Sequence, residues 1–223
     1  MNLIEYPDRE ILMIDLADKL ASELSTALQT HDKVTFSVPG GTTPGPVFDI
    51  LSTVGLDWHR VAVLLNDERW VPESSDRSNT RLLKERLLTN KAAGADLLPL
   101  YTDGGPPEDH LAGLSAGISP RLPIDVLLLG MGTDAHIASL FPGADRLEEG
   151  LSADAPVLLP MRAEAAPEPR ITLTAPVLTS ALQIHALITG AAKRETLETA
   201  RNKTPEEAPV RLILDAATIH WSE

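Results

Sequence analysis

Short, uniformly apolar runs alternating with helical patterns predict an α/β fold. The expected architecture is an open, mostly parallel sheet with helices on both faces, a Rossmann-like three-layer sandwich. The runs lie at 34–38, 61–65, 124–129, 171–174 and 182–189. They lack the polar alternation of a strand with one wet face, so both faces should be covered. Glycine-bearing turns close the first, third and last of them.

In chain order, Asp8 can cap a first element, a helix whose apolar face is Ile11, Ile14, Leu16, Leu20, Leu24, Ala27 and Leu28. Run 34–38 ends in Pro39-Gly40-Gly41-Thr42-Thr43-Pro44, and Val47, Phe48, Ile50 and Leu51 then suggest a second helix. After run 61–65, Ser78 opens the capped segment SNTRLLKERLL. Run 124–129 leads into Gly130-Met131-Gly132, and Gly190 leads into the helix AAKRETLETA. The proline-rich patches at 105–107 and 203–209 are too short to be linkers, so residues 1–223 are expected to form a single domain with a small excursion around 140–170.

The chain has 223 residues with 19 Lys and Arg against 32 Asp and Glu, a net charge of −13. That balance opposes nucleic acid and anionic membrane surfaces as partners. The absence of cysteine removes disulfides, thiolate nucleophiles and cysteine-held metals. No leader-like segment or long apolar stretch is seen, so a cytoplasmic location is expected. Oligomeric state is left open.

Ligands of parallel sheets bind beyond the carboxyl ends of strands, and three conspicuous segments fall at such ends. Gly40, Gly41, Thr42 and Thr43 offer approachable backbone, hydroxyls and a helix start, all suited to phosphate, although Gly-Gly and Pro are also ordinary turn punctuation. Asn66-Asp67-Glu68-Arg69-Trp70-Val71-Pro72, with Ser78-Asn79 beyond, places carboxylates beside an arginine able to grip an anion; a solvated charged loop would read the same way. Gly130 to Pro142 carries Asp134 and His136 on a glycine-rich loop, where a histidine is well placed as a general base. The other histidines, at 31, 59, 110, 185 and 220, suit packing or solvated roles.

Two motifs mislead. Gly113-Leu114-Ser115-Ala116-Gly117 matches a nucleophile elbow but follows a polar, proline-bearing loop instead of a strand. Gly130-x-Gly132-x-x-Ala135 matches a dinucleotide fingerprint, yet Pro142 and Gly143 arrive too soon for the long helix such a fingerprint opens. Neither HExxH nor a close histidine pair is present, so no catalytic metal is indicated.

Taken together and in order, the three segments resemble the 6-phosphogluconolactonase family, part of a wider group that includes glucosamine-6-phosphate deaminase. The resemblance rests on Gly40-Gly41-Thr42-Thr43-Pro44, on Asp67-Glu68-Arg69 with Val71-Pro72 and Ser78-Asn79, and on Gly130, Gly132, Asp134, His136 and Ala138 through Pro142. Arg170 to Thr174, with Gly190 and Lys193, extends it over most of the chain. It implies hydrolysis of 6-phospho-D-glucono-1,5-lactone to 6-phosphogluconate in the pentose phosphate pathway, without a cofactor. By the same resemblance His136 activates water, Asp134, Asp67 and Arg69 line the site, Asn79 belongs to it, and Gly40 to Thr43 with Arg170 and Lys193 hold the phosphate. Either Asp67 or Asp134 could orient His136.

The sequence departs from the family at Ala135, where a glycine is expected. If that residue has φ > 0, alanine costs about 1–2 kcal/mol or moves His136; with ordinary backbone the change is silent. Two other readings compete: an isomerase or deaminase on the same fold, and a non-catalytic sugar-phosphate sensor. Deaminases tend to carry Asp-Glu-Tyr and Ala-Phe-Asn-Glu-Pro where this chain has Asp67-Glu68-Arg69 and Ala138 to Pro142. A sensor would be expected to bring a DNA-binding segment, and none is evident.

Overall fold

A computed structural model describes all residues, 1–223. The elements are β1 (Asn2–Glu5), α1 (Arg9–Thr30), β2 (Val34–Val38), α2 (Gly45–Ser52), β3 (Val61–Leu65), β4 (Asp67–Arg69), α3 (Asn79–Arg86), β5 (Asp96–Leu98), α4 (Leu111–Ile118), β6 (Val126–Gly130), α5 (Leu147–Leu151), β7 (Leu158–Ala163), β8 (Ala166–Leu173), α6 (Ala175–Thr179), β9 (Gln183–Thr189), α7 (Ala191–Ala200) and β10 (Thr218–Ser222). Seven strands form one open sheet in the order β1-β10-β9-β6-β2-β3-β5, with every neighbouring pair parallel. Strands β2 and β3 are buried along their whole length, as their unbroken apolar sequence requires. A single apolar cluster runs from α1 through the sheet to Ile219 on β10.

From β2 the chain moves through β3 to β5 at one edge, and from β6 it moves through β9 to β10 toward the other. The order therefore reverses between β2 and β6. Loops leaving these two strands diverge to opposite sides and open a crevice at their carboxyl ends, where open α/β sheets bind ligands.

Three local expectations change. The first element is not the helix but β1, which pairs with the last strand, β10. Asp8 does cap α1, accepting from Ile11 N at 2.8 Å, but Ile11 and Ile14 point outward. The buried stripe is Leu12, Met13, Leu16, Ala17, Leu20, Ala21, Leu24 and Leu28. Run 171–174 supplies no parallel strand: residues up to Leu173 belong to β8, in a separate antiparallel sheet ordered β4-β8-β7. Two of its strands fall in the 140–170 region, where an excursion was expected. As the polar loop before them implies, Gly113 to Gly117 lie within α4 and form no strand-to-helix elbow.

Asn66 joins the two sheets. Its amide N–H donates to Val38 O, its carbonyl accepts from Leu173 N, its side-chain amide donates to Leu128 O, and its side-chain oxygen accepts from Ser37 Oγ. One residue thus fixes β2, β6 and β8 around the end of β3.

Candidate active site

The crevice is lined by Gly40, Gly41 and Thr43 after β2, Asp67 and Arg69 on β4, and Asn79 at the start of α3. Gly130 at the end of β6, Gly132, His136 and Ala138 after it, Arg170 on β8 and Lys193 on α7 also line it. The structure thus brings together nine of the eleven residues expected at the site from sequence. Thr42 instead lines a neighbouring groove between α1 and α2, and Asp134 stands behind His136.

Asp134, not Asp67, orients the histidine. Its Oδ1 lies 2.6 Å from His136 Nδ1 and also accepts from the His136 backbone N–H at 3.2 Å. A carboxylate only accepts, so the ring proton belongs on Nδ1 and the lone pair on Nε2. Burial pushes the Asp134 carboxyl up, but the hydrogen bond and charge of His136 outweigh it and hold the group below its usual value. Phe141 packs on the histidine, with ring centroids 4.3 Å apart, and the Arg170 guanidinium lies 5.8 Å from the same phenyl centroid.

The loop that presents His136 has unusual backbone. Ala135 has φ +66° and Ala138 φ +49°, both in the left-handed region. Such conformations cost a non-glycine residue about 1–2 kcal/mol each, so they need anchoring. Val210 N donates to Ala135 O, Gly132 N to His136 O, and Thr196 Oγ1 on α7 to Thr133 O.

The cations are set differently from one another. Lys193 has no acidic partner, and burial pulls its ammonium below the usual lysine value. Arg170 is buried and its Nε has no hydrogen-bond partner in the chain. Burial lowers its pKa, Asp67 opposes this, and nearby Arg69 reinforces it. Arg69 donates to Arg77 O at 2.6 Å, and its Nε is likewise buried and unpaired. Unpaired buried donors of this kind are costly unless an anion or water meets them.

Glu68, whose role the sequence does not signal, holds the crevice wall together. Its carboxylate accepts from the N–H groups of Arg69, Asn79 and Thr80 and from Ser78 Oγ, tying β4 to the start of α3. Burial raises its pKa against these hydrogen bonds. Asn79 in turn donates to Asp67 O, and its side chain occupies the space that a Cβ at Gly40 would take, 2.1 Å away. No local signal marked Glu68, because its burial and its donors on α3 exist only in the fold. No group of three or more His, Cys, Asp or Glu side chains is placed to hold a metal ion.

The family model for glucosamine-6-phosphate isomerases/6-phosphogluconolactonase matches residues 7–221. The chain belongs to this family. A 6-phosphogluconolactonase of Caulobacter vibrioides is 40% identical, the alignment covering 100% of this chain and 98% of that one. A relative of the same name from Mesorhizobium japonicum is 42% identical over 95% of this chain and 90% of its own. The crystal structure of a 6-phosphogluconolactonase from Shewanella baltica superposes with a TM-score of 0.96 at 31% identity, covering 100% of this chain and 98% of that one. A monomeric glucosamine-6-phosphate deaminase reaches a TM-score of 0.80 at 15% identity, a likeness of fold.

Proposed function

We infer that this family member hydrolyses 6-phospho-D-glucono-1,5-lactone to 6-phospho-D-gluconate, a step of the pentose phosphate pathway. The observation that carries the reading is a carboxylate-backed histidine in the same crevice as Lys193, a lysine without an acidic partner. The histidine suits proton transfer, and the cations suit a phosphate.

In this reading the phosphate sits on the Gly40–Thr43 turn and is met by Lys193 and Arg170. A water between His136 Nε2 and the lactone carbonyl gives its proton to the ring and its oxygen to C1. Asp134 steadies the imidazolium, and Arg69 faces the negative charge that develops on the carbonyl oxygen. Collapse of the tetrahedral intermediate breaks the bond from C1 to the ring oxygen, which takes the proton back from His136. A lactone is an activated ester, so a base contributing about 10²–10⁴ together with phosphate anchoring is sufficient. A cytoplasmic location is part of the proposal, because a phosphorylated substrate carries charge that a bilayer excludes. No helix is long and apolar enough to cross a membrane.

The test is a coupled assay on freshly generated lactone. His136→Asn should lower the rate about 10²–10⁴-fold while affinity for 6-phosphogluconate stays within a few-fold. An unaltered protein that binds the sugar phosphate without accelerating hydrolysis would establish a sensor instead.

A further inference from the structure

We propose that Ser139 is a positioning residue, whose hydroxyl holds the Asp67 carboxylate off Arg170 and so keeps that guanidinium free for substrate. The proposal rests on the hydrolase reading for its substrate and deepens it.

Ser139 is completely buried. It directly follows Ala138, whose left-handed backbone turns the chain toward β8. Its backbone N–H is already satisfied by Thr172 Oγ1 at 3.1 Å, and that threonine passes its own proton to Leu173 O. The loop is therefore anchored to β8 through the main chain. The serine hydroxyl is left for another task, and it donates to Asp67 Oδ2.

This is the one hydrogen bond the Asp67 carboxylate receives from the chain. Asn79 reaches only the Asp67 backbone oxygen. Arg170 Nη1 stands 3.6 Å from the same Oδ2, too far for a charge-assisted hydrogen bond, whose length is about 2.7–2.9 Å. Two buried groups of opposite charge with an unpaired guanidinium nitrogen beside them would ordinarily close into a forked pair. Here the hydroxyl claims the oxygen nearer the arginine, and the pair stays open. An arginine already locked by its neighbour would meet a phosphate with fewer free donors and less net charge. Ser139 thus couples the loop bearing His136 to the anion-binding capacity of Arg170 on β8.

The arrangement predicts a specific kinetic split. Ser139→Ala should raise KM, and the dissociation constant for 6-phosphogluconate, about five- to tenfold, with kcat changed less than threefold. Removing the competing carboxylate should abolish this effect: in an Asp67→Ala background, adding Ser139→Ala should move the 6-phosphogluconate dissociation constant less than twofold. A purely structural serine would weaken binding by the same factor in both backgrounds, and that additivity would overturn the proposal. So would unchanged product affinity in the single variant. Melting curves for all four proteins show whether each is folded under the assay conditions. Because product affinity is read without turnover, absence of hydrolysis in the unaltered protein would sink the hydrolase reading alone, and the binding cycle would still decide Ser139.

Discussion

Gly132 and His136 share one volume: a Cβ on Gly132 would lie 2.2 Å from His136 Nδ1 and 2.4 Å from Asp134 Oδ1. The glycine is thus required by its neighbour's ring rather than by its own φ, which is not in the left-handed region. Gly132→Ala should displace the imidazole or break its bond to Asp134, lowering kcat by two orders of magnitude or more. Product affinity should change only a few-fold. Steady-state kinetics beside a product titration check this, and near-native turnover would refute the assigned loop geometry.

Ala135 carries its left-handed backbone with a buried methyl group. Replacing it by glycine removes about 1–2 kcal/mol of strain but loosens the unfolded chain and deletes the methyl contacts, so the contributions nearly cancel. Ala135→Gly should keep activity within threefold or raise it, with unfolding free energy within about 1 kcal/mol of the parent. A tenfold loss of activity would show that the methyl itself positions His136.

Lys193 and Arg170 should behave as anion donors. Substituting either by alanine should weaken substrate binding by about 1.5–3 kcal/mol, the range for a hydrogen bond to a charged group. Since burial lowers the Lys193 pKa, its charge is lost at lower pH than for an ordinary lysine. Product affinity should accordingly decline as pH rises toward the usual lysine range, and this alkaline limb should flatten in Lys193→Ala. An identical limb in the variant would assign it elsewhere.

Far from the crevice, Tyr6, His220, His185 and Glu23 form a hydrogen-bonded chain with steps of 2.8, 3.0 and 2.7 Å, and Lys19 pairs with Glu23 at its end. Burial first, then the nearby His185, pushes the His220 pKa down to about 3, with Glu23 opposing and Lys19 reinforcing. Below its ordinary value near 6.5 the unfolded chain binds a proton that the folded chain refuses, so stability falls as pH drops from about 6.5 toward 3. The limiting slope is about 1.4 kcal/mol per pH unit for this one group. Glu23, held below its usual value, loses stability in the same direction. Denaturant unfolding of His220→Gln should show a shallower acid slope and lower stability at neutral pH. An unchanged slope would remove His220 from the acid response.

The same chain explains what sequence could not reveal. Strand β10 contains His220 and Ser222, both buried, and a run broken by such residues lacks the apolar continuity that marked β2 and β3. The polar atoms of His220 are satisfied by partners 35 and 214 residues away, beyond the reach of local pattern. Likewise β4 reads as a charged loop, because Asp67, Glu68 and Arg69 are paired with distant groups and not dissolved in water. Residues such as Gly40 and His136 were legible because they sit where apolar runs stop, and Lys193 only through the family resemblance. Ser139 and Thr172 were not, because their roles exist only once β8 lies against the loop.

The meeting of the two sheets at Asn66 also has a consequence for how the molecule breathes. Of the crevice walls, β4 and β8 belong to the small antiparallel layer, whereas the turn at Gly40 and the loop of His136 hang from the large one. A three-stranded layer with its own antiparallel ladder can loosen as a cooperative unit without melting the parallel strands. A ligand bridging Lys193 and Arg170 would staple the layers together. Amide deuterium uptake on β7 and β8 should therefore slow markedly when 6-phosphogluconate is bound, although β7 contributes no side chain to the crevice.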